Sequence, residues 1–318
     1  MSKRLLLGFL ILIIIGVIIY MVKDLFFSVK DQENPFDLKR PSLIKYDPSL
    51  VSHREIKTIN LKMDEPDGIA INNDGDIIVA GTGVVIYDKF FKEKKSFYLN
   101  NEAYCVASGS SGKLFLGMED HIEVYDNSGK FIEKWAVDNH ESILTGIVAT
   151  DDFVFVSDAG ERLVHKYDLK GKLLGNIGKG DSSKGVPEII IRSAFFDLAL
   201  GREGELWITN PGNYLVEAFD VKGNFKSSWG KYSENIDGFS GCCNPTNISI
   251  LGDGCFVTAE KAYPRVKIYS QEGKFMSIVA VPEDFDEGTK GLDLAIGKDD
   301  RIFVLDPYRK QIRIFEKK

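Results

Sequence analysis

What is scarce in these 318 residues narrows the field before any motif is sought. Four cysteines (Cys105, Cys242, Cys243 and Cys255) are too few for a disulfide scaffold, and none stands in a C-x-x-C pair. Four histidines (His53, His121, His140 and His165) share no spacing that would gather three of them around one ion. No G-x-S-x-G, no H-E-x-x-H and no glycine-rich phosphate loop occurs. A basic excess is missing too. The 40 Lys and Arg face 47 Asp and Glu, a net charge of -7, which argues against DNA or RNA as the main ligand because phosphate backbones need a positive surface. From residue 55 onward there is no 3.6-residue periodicity, so an α-solenoid is excluded.

One long hydrophobic run is present. The stretch from Leu5 to Val22 carries no charge and is rich in Leu and Ile. As a helix it would span roughly 27 Å at about 1.5 Å per residue, close to the hydrocarbon thickness of a bilayer. Lys3 and Arg4 precede it, while Lys23 and Asp24 follow, so the positive charge lies on its N-terminal side. That bias predicts an inside N-terminus, residues 1–4, and a chain that continues outside the cytoplasm. The bulky residues 17–22 offer no small-residue cleavage site, so the run reads as an uncleaved signal anchor and makes the membrane the first expected partner. Residues 23–54, with their charges and prolines, read as a tether.

The rest of the chain, 55–318, repeats. Each unit is a short apolar strand, a turn, a second strand, a loop, and a third strand ending in an aromatic residue, usually followed by Asp and a G-K or G-N turn. The marker aromatics Tyr87, Tyr125, Tyr167, Phe219, Tyr269 and Phe315 are 38, 42, 52, 50 and 46 residues apart. Four short β-rich strands per period, six times over, predict an all-β, six-bladed propeller of four-stranded antiparallel blades. The last unit stops at Lys318 without a fourth strand, and residues 55–63 form an orphan strand before the first unit. Pairing 55–63 beside 311–316 would close the ring and remove an exposed sheet edge.

Stretches such as Asp158-Ala159-Gly160-Glu161-Arg162-Leu163-Val164-His165-Lys166-Tyr167-Asp168 resemble the D-x-x-N-x-R-V-x-x-(aromatic)-D pattern of NHL repeats. Gly241-Cys242-Cys243-Asn244-Pro245 and residues 258–267 resemble a subgroup of bacterial, membrane-anchored NHL proteins. The resemblance implies the propeller fold and a periplasmic or cell-surface location, but hardly an activity. It also implies what enzymes of similar fold would need. Histidine-held zinc, as in peptide-amidating lyases, has no matching histidine set, and a lactonase-like divalent ion has only Glu260, Asn210 and Asp197 as candidates.

Candidate site residues follow from loop length. Segments between blades and loops between the second and third strands share one face of a propeller. The long ones, residues 176–194 and 230–244, lie there, as do the loops at 210–213, 260–265 and 306–309. Function sits on elaborated loops over a rigid scaffold. The expected ligand-binding residues are therefore Asn210, Asn213, Asn244, Glu260, Lys261 and Arg265, with Arg265 available for a carboxylate and Glu260 for a cation or amine. Cys242 and Cys243 admit three readings: a strained vicinal disulfide, a bridge from one of them to Cys255, or metal or redox chemistry. Cys105 reads as core. Asn247-Ile248-Ser249 matches a glycosylation sequon but falls on an inner strand. The expectation is a binding module for a protein, peptide or small ligand, with no cofactor and no catalytic residue assigned. A metal-dependent lyase or hydrolase, or a thiol-redox protein, is the alternative.

Overall fold

A computed structural model describes residues 8, 15–17, 46–137, 139 and 141–318. Of the expected anchor only residues 8 and 15–17 are among them, so the spanning segment lies outside the described residues, as do most of the tether and His140. Among the described residues no helix is long and apolar enough to cross a membrane.

Among the described residues, twenty-four strands form six four-stranded antiparallel sheets. The first complete blade is β2 (Pro66–Ile71), β3 (Ile77–Gly81), β4 (Gly83–Tyr87) and β5 (Glu93–Tyr98). Blade 2 runs from β6 (Cys105–Ser108) through β7 (Leu114–Gly117) and β8 (His121–Tyr125) to β9 (Phe131–Ala136). Blade 3 is β10 (Leu144–Ala149), β11 (Phe153–Asp158), β12 (Leu163–Asp168) and β13 (Leu173–Ile177). Blade 4 is β14 (Leu198–Leu200), β15 (Leu206–Asn210), β16 (Leu215–Phe219) and β17 (Phe225–Trp229). Blade 5 is β18 (Asn247–Ile250), β19 (Phe256–Glu260), β20 (Arg265–Tyr269) and β21 (Phe275–Ala280).

Both ends of the repeat region build blade 6. Strands β22 (Asp293–Ile296), β23 (Ile302–Asp306) and β24 (Gln311–Lys317) are completed by β1 (His53–Asn60). The register runs from His53 opposite Lys317 to Asn60 opposite Gln311. The closing strand thus begins two residues before 55, because β24 continues through Lys317, and ends at Asn60 rather than 63, opposite the first residue of β24, Gln311. Residues just before it are ordered as well: Pro48–Leu50 form a short 3₁₀ turn, and Ser52 N–H donates to the Ile278 carbonyl. The last residues of the stretch read as a tether therefore pack on the propeller.

The residue after each marker aromatic explains the repeat's persistence. In Asp88, Asp126, Asp168 and Asp220 one carboxylate oxygen accepts the backbone N–H groups two and four residues on, closing the turn between the third and fourth strands. Ser270 does the same with its hydroxyl in blade 5. The aromatics themselves are buried between blades. Tyr269 of blade 5, for instance, packs against Trp229 of blade 4 with ring centroids 4.9 Å apart.

Candidate functional site

Four blades share a polar pair seven residues apart, with one member at the end of the second strand and the other inside the third. The pairs are Asp158 with His165, Asn210 with Glu217, Glu260 with Lys267, and Asp306 with Arg313. All eight side chains are buried. The spacing is set by the hairpin: a short loop separates the strands, and the two residues fall diagonally on one face of the sheet. Each lies under the loop-bearing face.

Two of the residues expected to meet a ligand, Asn210 and Glu260, belong to these pairs, and the other four hydrogen-bond close by. Asn210 receives the Ile190 N–H on its Oδ1 and donates through Nδ2 to the Glu188 carbonyl and to Glu217 Oε1. Asn213 donates to the same Glu188 carbonyl. Asn244 donates to the carbonyls of Ser240 and Lys261 and accepts the Lys261 N–H. Lys261 donates to Ser193 Oγ and lies 4.8 Å from the Phe195 ring centroid.

Glu260 is gripped by Arg265 through two nitrogens at 2.8 and 2.7 Å and by Lys267 at 2.7 Å. Arg265 reaches on to Ser240 Oγ, and Lys267 to the carbonyls of Ile236 and Gly238. The Arg265 guanidinium is thus engaged by Glu260 rather than open to a ligand carboxylate. Burial lowers the Lys267 ammonium to about 8 even though Glu260 works against the shift. Burial pushes Glu260 the other way, but its two cations outweigh that and hold it below its ordinary value. All six residues act as clamps on the two long insertions.

The cysteines fall in separate places. Cys242 and Cys243 are free thiols with sulfurs 2.9 Å apart, Cys242 exposed and Cys243 buried at φ +67°. Cys255 lies at the far end of the β18–β19 hairpin, where Leu251 and Cys255 pair, whereas Cys243 precedes the end where Asn247 meets Ala259. A bridge to Cys255 is excluded by that separation. The hydrogen bond with Cys243 raises the Cys242 thiol, and burial raises Cys255 to about 11, so neither is an activated thiolate.

A different group of residues converges on the channel mouth of the loop-bearing face. One register position on each inner strand faces there: Gly68, Cys105, Gly146, Asp197, Asn247 and Asp293. Asp197 accepts the Ile248 N–H of the next blade, and Asp293 accepts the Ile69 N–H across the ring closure. Asn247 donates to Asp293. A side chain at Gly146 would start 2.6 Å from Asp197 Oδ1, so only glycine fits beside that carboxylate.

Burial, with the charge of Asp293 added, pushes Asp197 well above the carboxylate range. Burial pushes Asp293 up to about 6 against three hydrogen bonds that favour its anion. Asp67 reaches about 6 through burial and the charges of Glu65 and Asp293, and Glu102 about 7 through burial and its neighbours Glu65 and Asp67. Among the described residues no Lys or Arg pairs with these acids. The channel behind them holds a cavity of about 290 Å³ lined by all six inner strands.

Sequence reasoning weighs Asp197 only as a metal ligand together with Glu260 and Asn210. Those three do not converge, since Glu260 and Asn210 are engaged in their own blades. The missed signal is the register itself: aligning the inner strands sets Asp197, Asn247 and Asp293 at one level. Of the described histidines, none is on an inner strand. His53 is in the closing strand, and His121 and His165 are in third strands.

No family model matches the chain, and no curated protein matches it. Solved propellers do. A streptogramin B lyase aligns over 86% of this chain and 100% of its own, with a TM-score of 0.58 and 12% identity. A catalytically inactive variant of virginiamycin B lyase from Staphylococcus aureus, solved with quinupristin, aligns over 83% and 88% with a TM-score of 0.53 and 14% identity. The WD40 β-propeller domain of Doa1 covers 80% and 79% with a TM-score of 0.55 and 13% identity. At such identities the likeness establishes an all-β, six-bladed propeller and no more.

Proposed function

We propose that the chain is a binding propeller of the NHL type, held on the outer side of a membrane by residues 5–22, that receives a cationic group of a protein, peptide or small ligand at its channel mouth. The observation that carries this reading is the set of Asp67, Asp197 and Asp293, which no cation neutralises among the described residues, with Glu65 and Glu102 beside them. Buried carboxylates of like sign repel one another and resist ionisation unless a cation joins them. A lysine side chain, an amino terminus or a polyamine would supply that charge. The surrounding clamped insertions give the mouth a rigid rim, which lowers the ordering cost of binding.

The test is titration of the full-length protein in detergent with spermidine and with a lysine-rich peptide, beside an acidic control peptide. Binding of the cationic probes is expected to strengthen as the pH rises through about 6, where Asp67 and Asp293 ionise. Asp293→Asn is expected to weaken it about tenfold, by the loss of one charge-assisted contact. Equal binding by wild type and Asp293→Asn, or preference for the acidic peptide, would refute the reading.

An enzyme is the second reading, supported by the fold likeness to lyases. It stands behind because the described histidines occupy closing and third strands, away from the mouth. A thiol-redox role stands behind as well, given the raised Cys242 thiol.

A further inference from the structure

The polar pair of blade 3 gains a second acid, as does that of blade 6. In blade 6 the added Glu55 is met by the Arg313 guanidinium, whereas in blade 3 both acids meet one imidazole. Glu161, in the loop between β11 and β12, turns its Oε2 to within 3.3 Å of His165 Nε2, and Asp158 Oδ2 lies 3.1 Å from the same nitrogen. The three atoms all lie within 4.8 Å of one another. Asp158 and His165 are buried, and Glu161 is about a quarter exposed.

What surrounds them is as informative as the three atoms. The other oxygen of Asp158 accepts three backbone N–H groups, from Ile143, Gly160 and Glu161. The other oxygen of Glu161 accepts Asn139 Nδ2 at 2.5 Å. The other ring nitrogen of His165 is 3.0 Å from Asn176 Oδ1, and so donates to it. Every ligand-capable residue is thus held from behind, leaving one atom facing the common centre. This is the arrangement by which outer-shell partners fix metal ligands and select the histidine tautomer. His165 Nε2 faces two carboxylate oxygens, an arrangement that draws all three atoms to whatever proton or cation sits among them.

The spacing suits an ion. Zinc binds imidazole nitrogen and carboxylate oxygen at about 2.0–2.2 Å, which puts tetrahedral ligands about 3.4 Å apart. The two observed separations, 3.1 and 3.3 Å, are close to that edge. One nitrogen and two oxygens form a borderline set that fits Zn²⁺ better than Ca²⁺ or Mg²⁺, which take all-oxygen shells.

We propose that Asp158, Glu161 and His165 bind one Zn²⁺ on the loop-bearing face of blade 3. Three protein ligands leave a position open for water or a ligand atom. Glu161 lines a cavity of about 880 Å³ whose walls also include Asn139, Asn176 and Glu188. The site is distinct from the channel mouth, and its second role is mechanical: the ion would join the β11–β12 loop to Asn176, where the 176–194 insertion begins.

The experiment uses the full chain in detergent, stripped with chelator and dialysed against Zn²⁺, with bound metal counted by mass spectrometry. Because Cys242 and Cys243 could also hold zinc, the Cys242→Ser, Cys243→Ser double variant is measured in parallel. One zinc per chain is expected in both proteins, with at least tenfold weaker binding in Glu161→Gln and in Asn139→Ala. The Co²⁺ form is expected to give d–d absorption without a sulfur-to-metal charge-transfer band, a readout that needs no variant to fold. No stoichiometric zinc, zinc lost with the cysteines but kept in Glu161→Gln, or a cobalt spectrum showing thiolate ligation would each overturn the proposal.

Discussion

Blades 3 and 5 build the same corner with opposite charge. In blade 5 one carboxylate, Glu260, meets two cations, Arg265 and Lys267, and all three side chains are buried. The surplus positive charge is taken up by the carbonyls of Ile236 and Gly238 and by the rings of Phe239 and Tyr269, 5.0 and 5.1 Å from the ammonium. In blade 3 two carboxylates meet one imidazole, and the surplus is negative, taken up by backbone N–H groups on Asp158. The seven-residue pair is therefore a generic bracket under the loop face. Its composition decides whether the bracket is complete in itself or lacks a cation.

The widest gap between the two corners should appear on removing the central acid. Glu260→Gln leaves Arg265 and Lys267 buried together without an anion, and a broken buried ion pair costs about 3–5 kcal/mol. Asp158→Asn keeps an oxygen for the backbone N–H groups and removes one of two negative charges, so about 1–3 kcal/mol is expected, the cost of an imperfectly satisfied hydrogen bond. Urea unfolding of both variants, with chelator present, measures the difference. Equal losses would mean that blade 3 is as self-contained as blade 5.

Lys267 gives the next contrast, through pH. Its folded value of about 8 lies below the ordinary 10.5, so between those values the unfolded chain binds the extra proton. The Lys267 contribution to stability is fully present above 10.5 and is lost as pH falls through about 8. Wild type is expected to gain stability relative to Lys267→Met between pH 8 and 10.5. A flat difference across that window would show that the ammonium is not strained by burial, and that the surplus charge of blade 5 is fully compensated.

Blade 4 is the intermediate, pairing the uncharged amide of Asn210 with Glu217 and holding no cation. Burial raises Glu217 against the Asn210 hydrogen bond, which lowers it. Asn210→Ala removes the acceptor of the Ile190 N–H and the donor to the Glu188 carbonyl, and about 1–3 kcal/mol is expected in the same urea assay. A loss near that of Glu260→Gln would erase the distinction between ion-paired and amide-held brackets.

The fold is legible in the sequence because its signals are local and repeated. The aromatic markers and the Asp-capped turns recur in a chain order that one sequence displays, and the unmatched strand at 55–63 points to the closure with 311–316. The insertions are legible as long loops. What each polar residue faces is not, because burial and partners depend on where a long insertion folds back. Arg265 reads as a free hand at a mouth, yet the 230–244 segment lies over it and brings Ser240 and Gly238 within reach. The acids at the mouth are hidden for another reason. Asp67, Asp197 and Asp293 stand in three different blades, far apart along the chain; the inner strands set Asp197 and Asp293 at one level, with Asp67 one residue before that level in blade 1.

The smallest effect uses the cysteines as reporters of the blade 5 corner. Cys242 is exposed and Cys243 is buried, in a loop held by Asn244 and by the Ser240 N–H donated to Glu260. Alkylation counted by mass spectrometry should label Cys242 alone on the native protein, and slowly at neutral pH because its thiol is raised by Cys243. Glu260→Gln releases the Arg265 bridge to Ser240, so Cys243 should become accessible well before global unfolding. Asp158→Asn, whose bracket touches the other insertion, should leave the Cys243 rate unchanged. If both variants exposed Cys243 alike, the two insertions would move as one unit and the corners of blades 3 and 5 would be coupled rather than independent.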